Sequence, residues 1–375
     1  MKSIFKIFGA SALLLGLSLT ASAQQEHYTD NKSLAETVGL IKEKQDKFNL
    51  YLNINSSLDL RANNDGFEGA NFTARQLRIE AKGNITDWLS YRWRQRLNRP
   101  NNGGGNIDNL PTSIDIAGIG VSPTEKFSMF LGKQCAAYGG IEFDLNPIEI
   151  YEYSDMIEYM SNFLTGVNFA YDFEAGQQLQ FQVLNGRNGS YAETYPGTTV
   201  DEAKIPFVYT LNWNGTIAPF WTTRWSISHM SQSKEHSMQY LALGNHFDFG
   251  PFNGHFDFMY SNEGLNRKMI IPDIEDVEYT SFLLKLNYNI TPAWNLFAKG
   301  MYETAGAGNG AKWFNGDKVR ESYGYYAGVE YYPFEDNNLH FFMTYIGRTQ
   351  KLMATDFSAS NHKVLLGFIY QLKMF

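Results

Sequence analysis

From Phe48 onward, apolar and polar residues alternate with a period of two, in short segments bounded by Gly, Pro, Asn or Asp. In one segment Leu77, Ile79 and Ala81 share a face while Gln76, Arg78, Glu80 and Lys82 share the other. The same division separates Tyr91 and Trp93 from Arg92, Arg94 and Arg96, and Phe282, Leu284, Leu286 and Tyr288 from Lys285, Asn287 and Asn289. Period-two alternation places successive side chains on opposite faces of a strand. Sixteen strands are predicted, at 48–61, 72–82, 88–97, 113–121, 127–133, 164–173, 178–184, 207–214, 221–230, 239–249, 254–260, 278–290, 294–303, 322–332, 339–348 and 363–374.

The connections carry as much information as the strands. Long ones (62–71, 98–112, 134–163, 185–206, 231–238, 261–277, 304–321, 349–362) alternate strictly with short ones (83–87, 122–126, 174–177, 215–220, 250–253, 291–293, 333–338). A soluble sandwich has no reason to gather its long loops at one end, whereas an outer-membrane barrel has short periplasmic turns and long extracellular loops. The aromatics Trp88, Trp294, Tyr331, Tyr332, Phe334 and Phe375 fall at strand ends, where a lipid interface takes them. The predicted fold is therefore all-β, a 16-stranded antiparallel transmembrane β-barrel with an inward-folded third loop.

The start of the chain agrees with export. Residues 1–23 combine Lys2 and Lys6, an apolar run from Ala10 to Leu19 and the small-residue site Ala21-Ser22-Ala23, which reads as a cleaved signal peptide. Removing it takes the net charge from −8 to −10. Residues 24–47 form a polar periplasmic segment with Leu34, Val38 and Ile41 at helical spacing, enough for a short helix or coil. Residues 48–375 are the barrel. Nothing after Ala23 is long and apolar enough for a membrane helix, so a membrane role must use strands. One cysteine excludes a disulfide scaffold, and the acidic balance argues against nucleic acid as a partner.

In lipid the apolar face points outward, so the charged face lines a lumen and no conventional core is expected. The lumen-side cations are then Arg61, Arg78, Lys82, Arg92, Arg94, Arg96, Arg224, Lys285, Lys299, Arg348 and Lys373, against the acids Asp59, Glu80, Asp115, Asp172, Asp257, Glu303 and Glu330. Alternate residues of one strand set Arg92, Arg94 and Arg96 about 6.5 to 7 Å apart in file. Between Gln134 and Gly186 there is no Lys or Arg, and the third long connection holds Glu142, Asp144, Glu149, Glu152, Asp155 and Glu158 among Ile141, Phe143, Ile148, Tyr151 and Tyr153. Such a loop is expected to fold inward, narrow the channel and set an acidic edge opposite the arginines.

The runs Lys47-Phe48-Asn49-Leu50-Tyr51-Leu52, Arg75-Gln76-Leu77-Arg78-Ile79, Tyr91-Arg92-Trp93-Arg94 and Gly132-Lys133-Gln134, with the Tyr-rich loop that follows, resemble the phosphate-selective porin O and P family across most of 48–375. The resemblance implies a sixteen-stranded, usually trimeric outer-membrane porin with arginines along an anion path, and Arg92, Arg94 and Arg96 match such a ladder by position. Two features depart from it. The third loop carries six acids and no base, and Phe375 falls on the opposite parity from Leu366, Phe368, Tyr370 and Leu372.

The expected function is passive diffusion of small hydrophilic solutes across the Gram-negative outer membrane, leaning toward anions such as phosphate. The expected partners are outer-membrane lipid, two further copies of the chain and the solutes; no catalytic residue, cofactor or metal is expected. The repeat His246-Phe247-Asp248-Phe249 and His255-Phe256-Asp257-Phe258 aims its His and Asp to the polar face, but without a third ligand it reads as lining. Cys135 reads as packed, and 306–310 as a mobile glycine-rich external loop. Two alternatives stand: a barrel enzyme of the lipid-hydrolase type, which needs a nucleophile and base toward lipid, and a secreted soluble all-β binding protein.

Overall fold

A computed structural model describes residues 33–38, 40, 46–101, 106–267, 271, 275–308, 314, 316–334, 338–355 and 357–375. The signal segment 1–23 and most of 24–47 lie outside them. The described residues contain sixteen strands: β1 (Asn49–Asn63), β2 (Gly66–Asn84), β3 (Leu89–Arg96), β4 (Ile114–Val121), β5 (Phe127–Cys135), β6 (Phe163–Glu174), β7 (Gln177–Asn185), β8 (Phe207–Ala218), β9 (Trp221–Ser231), β10 (Ser237–Phe249), β11 (Phe252–Glu263), β12 (Val277–Thr291), β13 (Trp294–Ala307), β14 (Asp317–Tyr331), β15 (Leu339–Leu352) and β16 (Ser358–Lys373). Each pairs antiparallel with its sequence neighbours, and β1 pairs with β16, so the sheet closes. Closure leaves no unpaired edge inside the bilayer, which is the condition for strands to span it.

Register sets the faces. On β12, Phe282 and Leu284 are exposed while Ser281 and Leu283 are buried. On β13, Trp294 and Leu296 point out and Asn295 and Phe297 point in. Near the short turns Trp294 sits directly across from Tyr331, ring centroids 4.6 Å apart, an aromatic pair at the level of the lipid interface. The N-terminal segment contributes one short helix, α1 (Leu34–Thr37), capped by Ser33 and Glu36; its Ala35 N–H donates to Met374 O at 3.0 Å, tying it to the end of β16.

Two expectations change. The strict alternation of long and short connections gives way where strands outgrow the membrane. β1 and β2 remain paired up to Asn63 and Gly66, so only Asn64 and Asp65 connect them where a ten-residue loop was expected over 62–71. Polar residues can carry a ladder into water, and here β1 stays paired with β16 as far as Asn63↔Asn361; the loss of apolar alternation there marks the end of lipid contact, not the end of the strand. Gly66 at φ +120° and Gly69 at φ +146°, beside a bulge at Arg61/Ala62, bend β2 along this extension. Likewise β13 extends through Gly306 and Ala307, and of the predicted loop 306–310 only 309 and 310 lie outside the described residues.

The expected lack of a core is also corrected. One buried apolar cluster joins Tyr138, Phe143, Met156, Ile157 and Met160 to Leu164, Met230, Tyr240, Met259, Leu283 and Met301. A second joins Ile148 and Tyr151 to Phe297, Tyr326, Phe342, Ile346, Leu365 and Ile369. These strand residues occupy the register positions that face away from lipid. The polar face is therefore interrupted by apolar seats wherever the segment between β5 and β6 brings its own Ile, Tyr and Met side chains, each worth roughly 1.5–3 kcal/mol when buried.

Candidate functional site

The basic ladder is held on β2, β3 and β4. Arg78, Glu80 and Lys82 stand directly across from Arg96, Arg94 and Arg92. Arg92 Nε donates to Glu80 Oε1 at 2.6 Å. The carboxylate that serves Arg78, Arg94 and Arg96 is Asp115. Its Oδ1 lies 2.9 Å from Arg96 Nε, and its Oδ2 lies 3.4 Å from both Arg94 Nε and Arg78 Nε. Pairing between β3 and β4 jumps from Arg94↔Ile116 to Gln95↔Ile114, so Asp115 is the extra residue of a bulge. A bulge re-aims a side chain, and here Asp115 and Ile116 are both buried where strict alternation would bury one. Arg94 also stacks over Phe163 at 5.1 Å, and Lys82 over Tyr51 at 5.1 Å. Arg61 sits higher, exposed, with Nη2 donating to Asn71 Oδ1 at 2.6 Å and Lys363 directly across the strand pair.

A second bulge brings in a cation that sequence parity assigns to the wrong face. Register passes from Asn55↔Gln76 to Ser56↔Ala74, so Arg75 is unpaired and turns inward. Its Nη1 lies 3.2 Å from Asp59 Oδ2 and its Nη2 donates to Tyr151 O at 3.4 Å. No period-two reading of the chain could have found it, because a bulge resets the period.

The segment between β5 and β6 contains a 3-10 turn (Pro147–Glu149) and the helix α2 (Asp155–Tyr159). Its acids meet cations of the distant strands. Glu142 pairs with Lys299, Asp144 with Arg224, Asp155 with Arg320 at 3.2 Å and with Arg348, and Glu152 with Lys363 at 3.3 Å. Glu149 is half-buried in the turn and Glu158 is exposed. The expected acidic edge across from the arginines is thus revised for four of the six acids: they neutralise β9, β13, β14, β15 and β16, while the ladder on β2 and β3 is served by Glu80 and Asp115. A desolvated carboxylate takes the nearest fixed cation, since an unpaired one would be costly. Burial pushes the Asp144 carboxyl, which lies on this connecting segment, up to about 7 against the pull of Arg224, with Asp257 adding to the rise.

Neutral contacts fix the same segment. Asp257 accepts from the backbone N–H of Ile141 and of Glu142, both at 2.8 Å. Tyr151 stacks on Phe297 with centroids 4.8 Å apart and donates its hydroxyl to Glu330 at 2.7 Å. Gln76 Nε2 donates to Pro147 O at 2.6 Å. One stretch of chain therefore touches β2 on one side and β9, β11 and β13 to β16 on the other. His246 and His255 are directly cross-strand, but among the described residues no group of three or more His, Cys, Asp or Glu is arranged to hold a metal. Cys135 is buried, its Sγ 3.7 Å from Phe143 O.

Comparison with solved structures finds the same architecture at low identity. Outer-membrane expressed OmpT of Vibrio cholerae is 11% identical with a TM-score of 0.56, covering 88% of this chain and 99% of that one. The outer membrane channel DcaP of Acinetobacter baumannii is 13% identical with a TM-score of 0.60, covering 86% and 96%. An anion-selective porin from Comamonas acidovorans is 9% identical with a TM-score of 0.56, covering 87% and 99%. A comparison with curated protein sequences finds no match. Residues 48–372 match the family described as phosphate-selective porin O and P. With most of its length matched to that family and its sixteen strands closed into a barrel, this chain belongs to the phosphate-selective porin O and P family and forms a channel in the outer membrane.

Proposed function

We propose that this porin passes small hydrophilic anions, phosphate among them, by passive diffusion without catalysing a reaction, and that it works as a homotrimer. The observation that carries the reading is the arginine wall: Arg78, Lys82, Arg92, Arg94 and Arg96 lie side by side on β2 and β3, with Glu80 and Asp115 set among them. An anion that sheds water there meets a positive surplus, and the local sign along the pore outweighs the negative charge of the whole chain. Arg61, exposed beside Lys363, supplies positive charge on the extracellular side.

In this reading the segment between β5 and β6 lies within the barrel and narrows the channel. Its ties to β2 and to β9, β11 and β13–β16 support this, and its acids serve as anchors to those distant strands. The trimer draws support from the family and from the trimer form recorded for OmpT of Vibrio cholerae. Reversal potentials of the purified porin in planar bilayers under a potassium chloride gradient test the selectivity: a potential toward chloride is expected, and one toward potassium overturns the reading. Migration of the unheated protein in detergent tests the assembly, with a monomer band overturning the trimer.

A further inference from the structure

We infer that the arginine wall continues into a neutral subsite, built from Asn53, Asn55 and Gln371, that takes the hydroxyl-bearing part of an organic anion such as a sugar phosphate or sugar acid. The inference rests on the anion reading above and narrows it to a class of solute.

Register places these residues. Asn53 on β1 stands directly across from Arg78 on one side and from Gln371 on the other. Asn55 stands across from Gln76, the residue that holds Pro147, so the amides lie at and just below the point where the connecting segment meets the wall. Neighbouring strands are about 4.8 Å apart, which is the separation between a phosphate or carboxylate and a nearby hydroxyl in a small sugar derivative.

Their hydrogen-bonding state points to a ligand. Asn53 is 1% exposed, and neither its Oδ1 nor its Nδ2 has a partner. Asn55 is 2% exposed with Oδ1 unpartnered. Gln371 Oε1 accepts from Asn338 Nδ2 at 3.1 Å while its Nε2 has no partner. Buried polar atoms in a native fold find partners, so three adjacent amides with open positions call for a molecule that fills them.

The chemistry selects the molecule. An amide offers two donors and an acceptor and carries no charge. Two of the open atoms, Asn53 Oδ1 and Asn55 Oδ1, are acceptors and must be given protons. A fully ionised anion has none to give and a monohydrogen phosphate has one, whereas vicinal hydroxyls each donate and accept. Arg78, with Nε toward Asp115 and Nη1 unpartnered, would hold the charged end. A site that hydrogen-bonds a hydroxyl discriminates against the solute that lacks it.

The test measures block of the chloride current through the purified porin by glucose 6-phosphate, inorganic phosphate and glucose, after the reversal potential has been recorded. The half-blocking concentration of glucose 6-phosphate is expected to lie roughly tenfold below that of phosphate, the worth of one good hydrogen bond, with glucose weakest. In Asn53→Ala, and in Gln371→Ala at a less enclosed position, the ratio should fall toward one. Equal block by both phosphates in the wild type, or a ratio kept in both variants, means that ordered water alone fills the amides and overturns the subsite while leaving the anion reading intact. A reversal potential toward potassium overturns the anion reading, and the subsite with it.

Discussion

Asp115 Oδ1 lies 2.9 Å from Arg96 Nε, and the same carboxylate, placed at a bulge in β4, also faces Arg94 and Arg78. Three guanidinium groups thus share one acid that has no exposed surface. In Asp115→Asn the like charges lose their counter-ion. The variant should be less stable by about 3 kcal/mol, read from the urea midpoint of the folded barrel, and should favour anions more strongly in a salt gradient. An unchanged reversal potential would place this cluster away from the ion path.

Replacing Arg92, Arg94 and Arg96 together with Ala removes three of the five cations on that wall. Relative anion permeability should fall severalfold, because three fixed cations are removed while Glu80 and Asp115 keep their negative charge. Selectivity equal to wild type would show that solutes travel along another wall.

Arg348 reaches two groups of the tethered segment and one of β13: its Nη1 donates to Tyr153 O at 3.0 Å, and its Nη2 pairs with Asp155 and with Glu303. In Arg348→Met two buried carboxylates lose a shared cation, and the segment should loosen. Single-channel recordings should show larger and noisier conductance than wild type. A conductance equal to wild type would mean that Tyr151, Glu142 and Asp144 hold the segment without it.

The Asp144 carboxyl, raised to about 7 by burial, gives the pore a pH dependence with a defined sign. Between the ordinary carboxylate range and 7 the folded chain keeps a proton that the unfolded chain releases, so this group's contribution to stability is full at low pH and is lost as pH rises through 7. Over the same interval a neutral Asp144 leaves the Arg224 charge uncompensated. Anion preference should therefore rise as pH falls from 8.5 to 5.5, and Asp144→Asn should hold the low-pH value throughout. A wild-type profile that is flat, or that runs the other way, counts against the assignment.

Much of the wall was legible from alternation alone. Where lipid enforces one apolar face, as at Phe282 and Leu284, parity reads directly, and the number of strands follows from counting the segments. Alternation failed at Arg75, because a bulge costs one residue of register and no local composition announces it. It failed again over 62–71, where β1 and β2 continue beyond the bilayer and lipid no longer imposes a pattern. The acids of the connecting segment were visible as a cluster, but Arg224, Lys299, Arg320, Arg348 and Lys363, the groups they pair with, lie far away along the chain on β9 and β13 to β16.

The sequence by itself determined the barrel, because period two, repeated between turns and facing lipid, leaves the backbone only a closed sheet in which to satisfy its hydrogen bonds. Only the tertiary structure decided which charges are spent on one another. Arg224, Lys299 and Arg348 pair with acids of the connecting segment, while Arg92 pairs with Glu80 and Arg96 with Asp115, and that division depends on through-space distances of a few ångströms that closure alone creates.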